Sequence, residues 1–246
     1  MCRELMPRVD ELRALIEDRR NPNAYFRAFE ETVHAEPSKR RAWLAREREF
    51  RRLDQDSWAF LKAEALPYLT NRDLLRGWSQ LIAILNQARA YNFLMDEGCQ
   101  NVRFIPRATT KGLETPDLEG EAGLTKVLCE VKSIQISDIE AARRADGGVG
   151  SSTAHLEVGF FNKLTSDLSK ARQQMYAFNS SPGTRRIAFF VLDFDDSLGE
   201  YKQCYFQQID EFLATKPVPD VEVVIYNQRT AFHARVALTH ATVVNE

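Results

Sequence analysis

The sequence contains few cysteines and histidines, and it contains no long apolar run. Its four cysteines are scattered and form no CxxC pair, which argues against a disulfide framework or a cysteine zinc site and predicts reduced thiols. The four histidines lack HxxxH spacing, so a histidine metal site is not expected either. The longest apolar runs, such as residues 187–192, are far shorter than the roughly 18 residues of a membrane span. The first residues also lack a secretory signal pattern, and these absences together predict a cytoplasmic protein without a membrane partner.

A large excess of charge of either sign is absent too, since the formal net charge is −2. This total argues only against indiscriminate coating of nucleic acid, because the charge is unevenly distributed. Residues 39–52 contain seven lysines and arginines but only two glutamates. The candidate phosphate-binding residues in this stretch are Arg40, Arg41, Arg48, Arg51 and Arg52. The alternative is a solvated helix face on which arginines pair with glutamates at helical spacing.

The hydrophobic pattern divides the chain into a helical part and a mixed part. Apolar residues recur at helical spacing through the first 75 residues, with candidate helix starts at Ala24, Ser38, Asp56 and Asn71. Gly98 would end the long helix that begins near Asn71. Later apolar runs predict strands near 102–105, 124–134, 187–192 and 221–226, and helices near 159–178 and 201–214. Residues 135–156 predict a long loop with a glycine-rich centre, and the whole predicts an α/β fold.

One stretch carries the residue types of a catalytic site. Pro116-Asp117 is followed, after twelve residues, by Glu130-Val131-Lys132. Side chains alternate along a strand, so Glu130 and Lys132 should lie on the same face of the 124–134 strand. If Asp117 lies at the end or bend of the adjacent strand, two carboxylates converge beside one ammonium. Carboxylate oxygens can hold Mg²⁺ together with waters and a substrate phosphate oxygen, which suits phosphodiester hydrolysis.

This pattern resembles the PD-(D/E)XK nuclease superfamily, which has the restriction-endonuclease-like fold. The resemblance covers roughly residues 78–226 and extends to the order of elements, which is helix, three strands, helix, strand. It implies an αβββαβ core with a mixed sheet, which we assign to residues 76–246. The helical residues 1–75 lie outside the resemblance, and we expect them to form a DNA-binding or dimerisation region. The resemblance also implies that Asp117 and Glu130 hold Mg²⁺, with Mn²⁺ as a substitute, and that Lys132 orients water or stabilises charge. The implied activity is metal-dependent DNA endonuclease cleavage in defence or restriction, in repair, or in a mobile element.

The resemblance also implies auxiliary residues on two helices. Some members of the superfamily carry a Gln and a Tyr on the helix after the Glu-x-Lys strand, and here Gln173 and Gln174 lie at that place. Many members carry a Glu in the preceding helix, where this sequence has Gln87. The resemblance therefore implies an auxiliary role near the metal or the nucleic-acid backbone for Gln173 or Gln174, for which exposed polar residues of a helix are the alternative. Gln87 is a further auxiliary candidate that can form hydrogen bonds but supplies no charge.

Other interpretations of the same residues stay open at the level of the sequence. Glu130 and Lys132 could form an ion pair on a surface-edge strand with no catalytic role. The chain could also be a catalytically inactive nuclease-fold module that binds nucleic acid or a protein partner. A homodimer is compatible with the nuclease interpretation, because two-fold symmetry would let two sites address both DNA strands.

Overall fold

The structure is a computed structural model. It describes residues 5–18, 20–74, 76–108, 114–147, 153–195, 200–216, 218–227 and 230–236. Contacts within the chain define two compact units, Met1–Phe104 and Ile105–Glu246. The functional division between residues 75 and 76 follows from the motif resemblance and stays a prediction.

The first unit is helical up to its last strand, as its apolar periodicity predicts. Its described elements are helices α1 (Pro7–Ala14), α2 (Phe29–Ala35), α3 (Pro37–Arg51), α4 (Gln55–Ala65) and α5 (Ser79–Asp96), the short 3₁₀ helix Leu66–Tyr68, and strand β1 (Gln100–Phe104). Large apolar side chains form its core, among them Leu12, Phe50, Trp58, Leu61, Leu85 and Leu94. None of the helices in the described part of the chain is both long enough and apolar enough to span a bilayer.

The starts of α2 and α3 differ from the predicted ones. Helix α2 begins at Phe29 and not at Ala24. Helix α3 begins at Pro37, so Ser38 lies inside its first turn and does not cap it. Proline explains this start, because its fixed φ suits the first helical position and it has no N–H to satisfy there.

The start of α4 is set by Asp54, two residues before the predicted start at Asp56. The Asp54 carboxylate accepts a hydrogen bond from the backbone N–H of Ser57 at 2.7 Å, which is the bond of an N-cap residue. Its other oxygen accepts a hydrogen bond from the Tyr91 hydroxyl at 3.1 Å. Asp54 therefore caps the N-terminus of α4 and, through Tyr91, also links α4 to α5.

Helix α5 begins at Ser79, so the predicted cap at Asn71 is wrong. Before this helix, Asp73 and Gly77 exchange two backbone hydrogen bonds, at 2.8 and 3.0 Å. Gly77 has a φ of +61°, which glycine adopts without the penalty of a Cβ. These bonds satisfy the backbone groups of Asp73 and Gly77 outside the helix, and α5 begins only after them, at Ser79.

The second unit contains a mixed sheet with helices, which confirms the predicted α/β fold class. Its described elements are β2 (Leu118–Ala122), β3 (Thr125–Ile134), α6 (Asp138–Ala145), α7 (Val158–Phe178), β4 (Arg185–Leu192), α8 (Lys202–Thr215), β5 (Glu222–Asn227) and β6 (Thr230–Val236). Strands β2 and β3 are antiparallel, β3, β4 and β5 are parallel, and β5 and β6 are antiparallel. Along the chain, α5, β1, β2, β3, α7 and β4 follow the predicted αβββαβ order, with α6 inserted before α7.

Helix α6 corrects the prediction of a continuous loop over residues 135–156. The Ser137 hydroxyl accepts a hydrogen bond from the backbone N–H of Glu140 at 3.1 Å and so caps the helix. Asp195 holds Ser137 in place, because its carboxylate accepts from the Ser137 backbone N–H and hydroxyl at 2.9 and 2.7 Å. This capping serine is held by a residue 58 positions away, so no local pattern indicates it. The glycine-rich residues 148–152 lie outside the described residues.

One face of the sheet packs against α7 and α8. Residues of β3 and β4 at alternate positions share a buried apolar cluster with the two helices, including Leu128, Ile134, Ala188, Phe190, Leu164, Leu168, Met175 and Ile209. Glu130 and Lys132 have the same strand parity as Leu128 and Ile134. They therefore lie on the face of β3 that α7 covers.

We expect Asp54→Ala to lower the free energy of unfolding by about 1–2 kcal/mol, because it removes both the N-cap bond and the acceptor of the Tyr91 hydroxyl. Urea denaturation followed by circular dichroism measures the change. Asp56→Ala is the matched control, since Asp56 is exposed in the first turn of the same helix. Equal losses in the two variants would contradict the capping role of Asp54.

Candidate active site

The turn between β2 and β3 determines which residues of the motif lie opposite each other. Ala122 pairs with Thr125, so only Gly123 and Leu124 lie between the two strands. Gly123 has a φ of +61°, as two-residue hairpin turns require. The register runs back to Leu118 opposite Cys129, and one further step places Asp117 opposite Glu130. The twelve-residue spacing of the motif is thus the length of this hairpin.

Asp117 directly precedes β2 and is held by bonds from two directions. Its backbone carbonyl accepts a hydrogen bond from the backbone N–H of Ile105 at 2.9 Å. Its carboxylate oxygen Oδ2 accepts a hydrogen bond from the backbone N–H of Val131 at 2.7 Å. The second bond directs the Asp117 side chain across the hairpin toward Glu130.

Glu130 and Lys132 lie side by side on β3, as strand alternation predicts. The Lys132 ammonium donates to Glu130 Oε1 at 2.6 Å and to Gln174 Oε1 at 2.8 Å. Glu130 is only 4% exposed, and β3 is bordered by β2 on one side and β4 on the other. The alternative of an ion pair on a surface-edge strand is therefore excluded.

The second oxygen of Glu130 has an unusual environment. Glu130 Oε2 is buried, and no donor among the described residues forms a hydrogen bond to it. A buried carboxylate oxygen without a partner costs about 1–3 kcal/mol or more, because water no longer solvates it. A proton or a bound cation at this oxygen would remove the cost.

Burial and mutual repulsion raise the proton affinity of the two carboxyl groups. Burial, followed by the charge of Asp117, raises the pKa of Glu130 to about 8, although Lys132 acts in the opposite direction. Burial also raises the pKa of Asp117, while the Val131 N–H and the charges of Lys132 and Arg107 lower it. Without a metal, burial and the charge of Asp117 therefore favour the protonated form of Glu130, whereas Lys132 favours the ionised form.

The donor set fits a hard divalent cation held by few protein ligands. Among the described residues, no group of three or more His, Cys, Asp and Glu side chains could hold a metal ion together. Asp117 and Glu130 supply two carboxylates, and Mg²⁺ is commonly bound by one or two carboxylates with waters and phosphate oxygens. The buried Glu130 Oε2 is the oxygen that such a cation would satisfy.

Of the three predicted auxiliary glutamines, the structure brings Gln174 into contact with the site. Gln174 accepts from Lys132, whereas Gln173 is exposed on α7 and no contact links it to the site. Gln87 is partly buried on α5 in the first unit, and its auxiliary role stays a prediction. The contact distinguishes two adjacent glutamines that the sequence alone leaves equivalent.

The five candidate phosphate-binding arginines have different surroundings on and after α3. Arg51 donates to Glu47 Oε1 at 2.7 Å, and Arg52 donates to both carboxylate oxygens of Asp96. Arg48 donates to a backbone carbonyl of its own helix at 3.3 Å. Of the other two, Arg40 is partly exposed and Arg41 is exposed.

Helix α3 therefore contains both the ion pairs of a solvated face and arginines that could contact phosphates. Phosphate binding by these five residues stays a prediction.

Arg107 lies outside the sequence motif but close enough to Asp117 for its charge to lower the pKa of that carboxyl group. Arg107 is exposed and belongs to the segment between β1 and β2. No spacing rule indicates it, because its position depends on hydrogen bonds between two non-adjacent segments.

No protein-family model matches the chain, and no curated protein matches it. One solved structure, described as SfsA from Pyrococcus furiosus in complex with Ca²⁺, shares 10% identity with a TM-score of 0.22. The match covers 64% of this chain and 61% of that one. A TM-score this low supports no assignment of fold or function.

We expect the stability of the metal-free protein to fall as the pH rises between about 4.5 and 8. In this window the unfolded chain loses the Glu130 proton while the folded protein keeps it, which costs up to about 1.4 kcal/mol per pH unit. Below the window both states are protonated, and above it both are ionised, so the slope vanishes.

Urea denaturation in EDTA at several pH values measures this slope. Glu130→Gln should reduce it, because the amide does not titrate, whereas Glu114→Gln should leave it unchanged, because Glu114 is exposed. Parallel pH profiles for the wild type and Glu130→Gln would contradict the raised pKa.

Proposed function

We propose that the protein is a metal-dependent nuclease of the PD-(D/E)XK superfamily that hydrolyses phosphodiester bonds, as an endonuclease acting on DNA. One observation carries this proposal: a buried glutamate with an unsatisfied oxygen lies opposite Asp117 and beside an ammonium held by Gln174. Such a buried cluster costs stability, so we attribute it to function rather than to packing.

Asp117 and Glu130 would hold Mg²⁺, or Mn²⁺ in its place. When bound, the metal would lower the pKa of a water molecule and offset charge on the phosphate. Lys132 would act next to these ligands, since its ammonium is fixed by two acceptors 2.6 and 2.8 Å away. From there it would orient the attacking water or stabilise negative charge on a phosphate oxygen. Binding of the cation would also displace the proton of Glu130, so metal affinity should increase with pH.

A second candidate function is a catalytically inactive nuclease-fold module that binds nucleic acid or a protein partner. The direct ion pair between Lys132 and Glu130 favours it, because an ion pair can neutralise this glutamate without any metal. Salt-dependent DNA binding without turnover in Mg²⁺ or Mn²⁺ would identify this function. A homodimer and a partner subunit stay predictions under either candidate.

We expect cleavage of DNA in Mg²⁺ or Mn²⁺ that EDTA abolishes. Asp117→Asn, Glu130→Gln and Lys132→Met should each lower kcat by about 100-fold or more, because each removes a charge that stabilises the transition state. Asp117→Asn retains a side-chain oxygen that can accept the hydrogen bond from the Val131 N–H. A lower kcat in this variant would therefore not result from a disrupted hairpin.

Single-stranded, double-stranded and branched DNA and RNA are the substrates to compare, with Glu114→Gln as the control. Each variant is first checked for a cooperative unfolding transition. Unchanged cleavage by folded Glu130→Gln would show that Glu130 is not a catalytic residue. An absence of cleavage by the wild type in both Mg²⁺ and Mn²⁺ would favour the catalytically inactive module.

The adjacent glutamines on α7 offer a matched pair. We expect Gln174→Ala to lower kcat by about 10-fold with little change in KM, since Lys132 loses one of the two acceptors that position it. Gln173→Ala should have no effect, because Gln173 is exposed. Equal effects of the two alanine variants would contradict a positioning role for Gln174.

A further inference from the structure

Arg107 lies close enough to Asp117 for its charge to act on that carboxyl group, although the proposed mechanism assigns Arg107 no role. Two hydrogen bonds join its segment to the residues around Asp117: Ile105 N–H to the Asp117 carbonyl at 2.9 Å, and the Thr115 hydroxyl to the Pro106 carbonyl at 3.2 Å. Arg107 directly follows Pro106, so these two bonds hold the backbone before Arg107 beside the residues around Asp117. Its side chain is exposed, which makes it accessible to a ligand from solvent.

The negative charges of the site explain how a cation at position 107 would favour binding of an anionic substrate. Asp117 and Glu130 supply two carboxylates, and the ammonium of Lys132 already donates to Glu130 and Gln174. A phosphodiester is itself an anion, so it approaches a site whose carboxylates repel it. Arg107 is exposed and its charge acts on Asp117, so it reduces that repulsion where a ligand from solvent can meet it.

We infer that Arg107 binds the phosphodiester backbone of the nucleic acid beside Asp117 and Glu130, through non-bridging phosphate oxygens. The guanidinium group suits this contact, because its planar fork of N–H donors matches phosphate oxygens in a bidentate geometry. A contact to phosphate carries no base information, so Arg107 increases affinity for any sequence. This role rests on the proposed function, since it assumes a nucleic-acid substrate.

Fluorescence anisotropy with a labelled DNA oligonucleotide tests this role. Binding is measured in Mg²⁺ at several salt concentrations, in the Asp117→Asn background so that the DNA stays intact. Arg107→Gln should raise Kd about 10-fold and lower the slope of log Kd against log salt concentration by about one, as expected for one lost phosphate contact. Arg107→Lys should recover the slope but only part of the affinity, because lysine lacks the bidentate fork.

Lys216→Gln is the matched control, since Lys216 is an exposed cation at the end of α8 in the same unit. It should leave both Kd and the salt slope unchanged. The thermal midpoint of Arg107→Gln should equal that of the background protein, which separates lost binding from lost folding. Binding and salt slope that are unaffected by Arg107→Gln, or equally affected by Lys216→Gln, would overturn the inference, and so would an absence of DNA binding in the background protein and the wild type.

The outcomes for Arg107 and for the proposed nuclease activity are distinguishable. If the wild type cleaves DNA, Asp117→Asn does not, and Arg107→Gln binds normally, the inference fails while the nuclease function stands. If Arg107→Gln weakens binding but no form of the protein cleaves in Mg²⁺ or Mn²⁺, the phosphate contact stands and the nuclease function fails.

Discussion

The register of the β2–β3 hairpin is the constraint on which the candidate site depends. A two-residue turn at Gly123 and Leu124 aligns the strands so that Asp117 lies opposite Glu130. Shifting that register by one residue would move every side chain of one strand to the other face, and the two carboxylates would no longer converge. The bond from the Val131 N–H to Asp117 strengthens the same alignment. Turn, register and carboxylate pair therefore form one structural unit.

This alignment carries an energetic cost at Glu130, and the surrounding elements only partly offset it. Burial and the neighbouring carboxylate disfavour the charged glutamate, whereas Lys132 favours it. Lys132 in turn depends on Gln174, which α7 supplies after packing its apolar residues on β3 and β4. The hydrophobic packing of α7 on β3 and β4 thus determines the position of the Gln174 amide. Buried, mutually repelling carboxyl groups that cost stability are typical of functional sites.

The helical unit shows how charged residues can serve the interior as well as the surface. Arg46 is buried and donates to Asn86 at 2.5 Å and to Glu49 at 3.2 Å, so it joins α3 to α5. Burial lowers its pKa to about 10, which still leaves the guanidinium charged at neutral pH. A basic cluster counted along the sequence therefore combines internal cross-links with exposed arginines. Only the three-dimensional contacts separate the two kinds.

Local patterns determined the α/β class, the helical N-terminal region, the long helices and the buried strands, because apolar periodicity reflects which face a segment buries. The sequence by itself also determined that Glu130 and Lys132 share a face, since alternation is a property of any strand. It did not indicate the helix starts at Gln55 and Ser79, or helix α6, because these depend on the cap bond of Asp54, on turn bonds before Ser79 and on a capping serine held by the distant Asp195. Tertiary structure alone decided that Gln174 and not Gln173 contacts Lys132, and that Arg107 lies beside Asp117. Both results depend on contacts between segments far apart or non-adjacent in the chain, which no local spacing encodes.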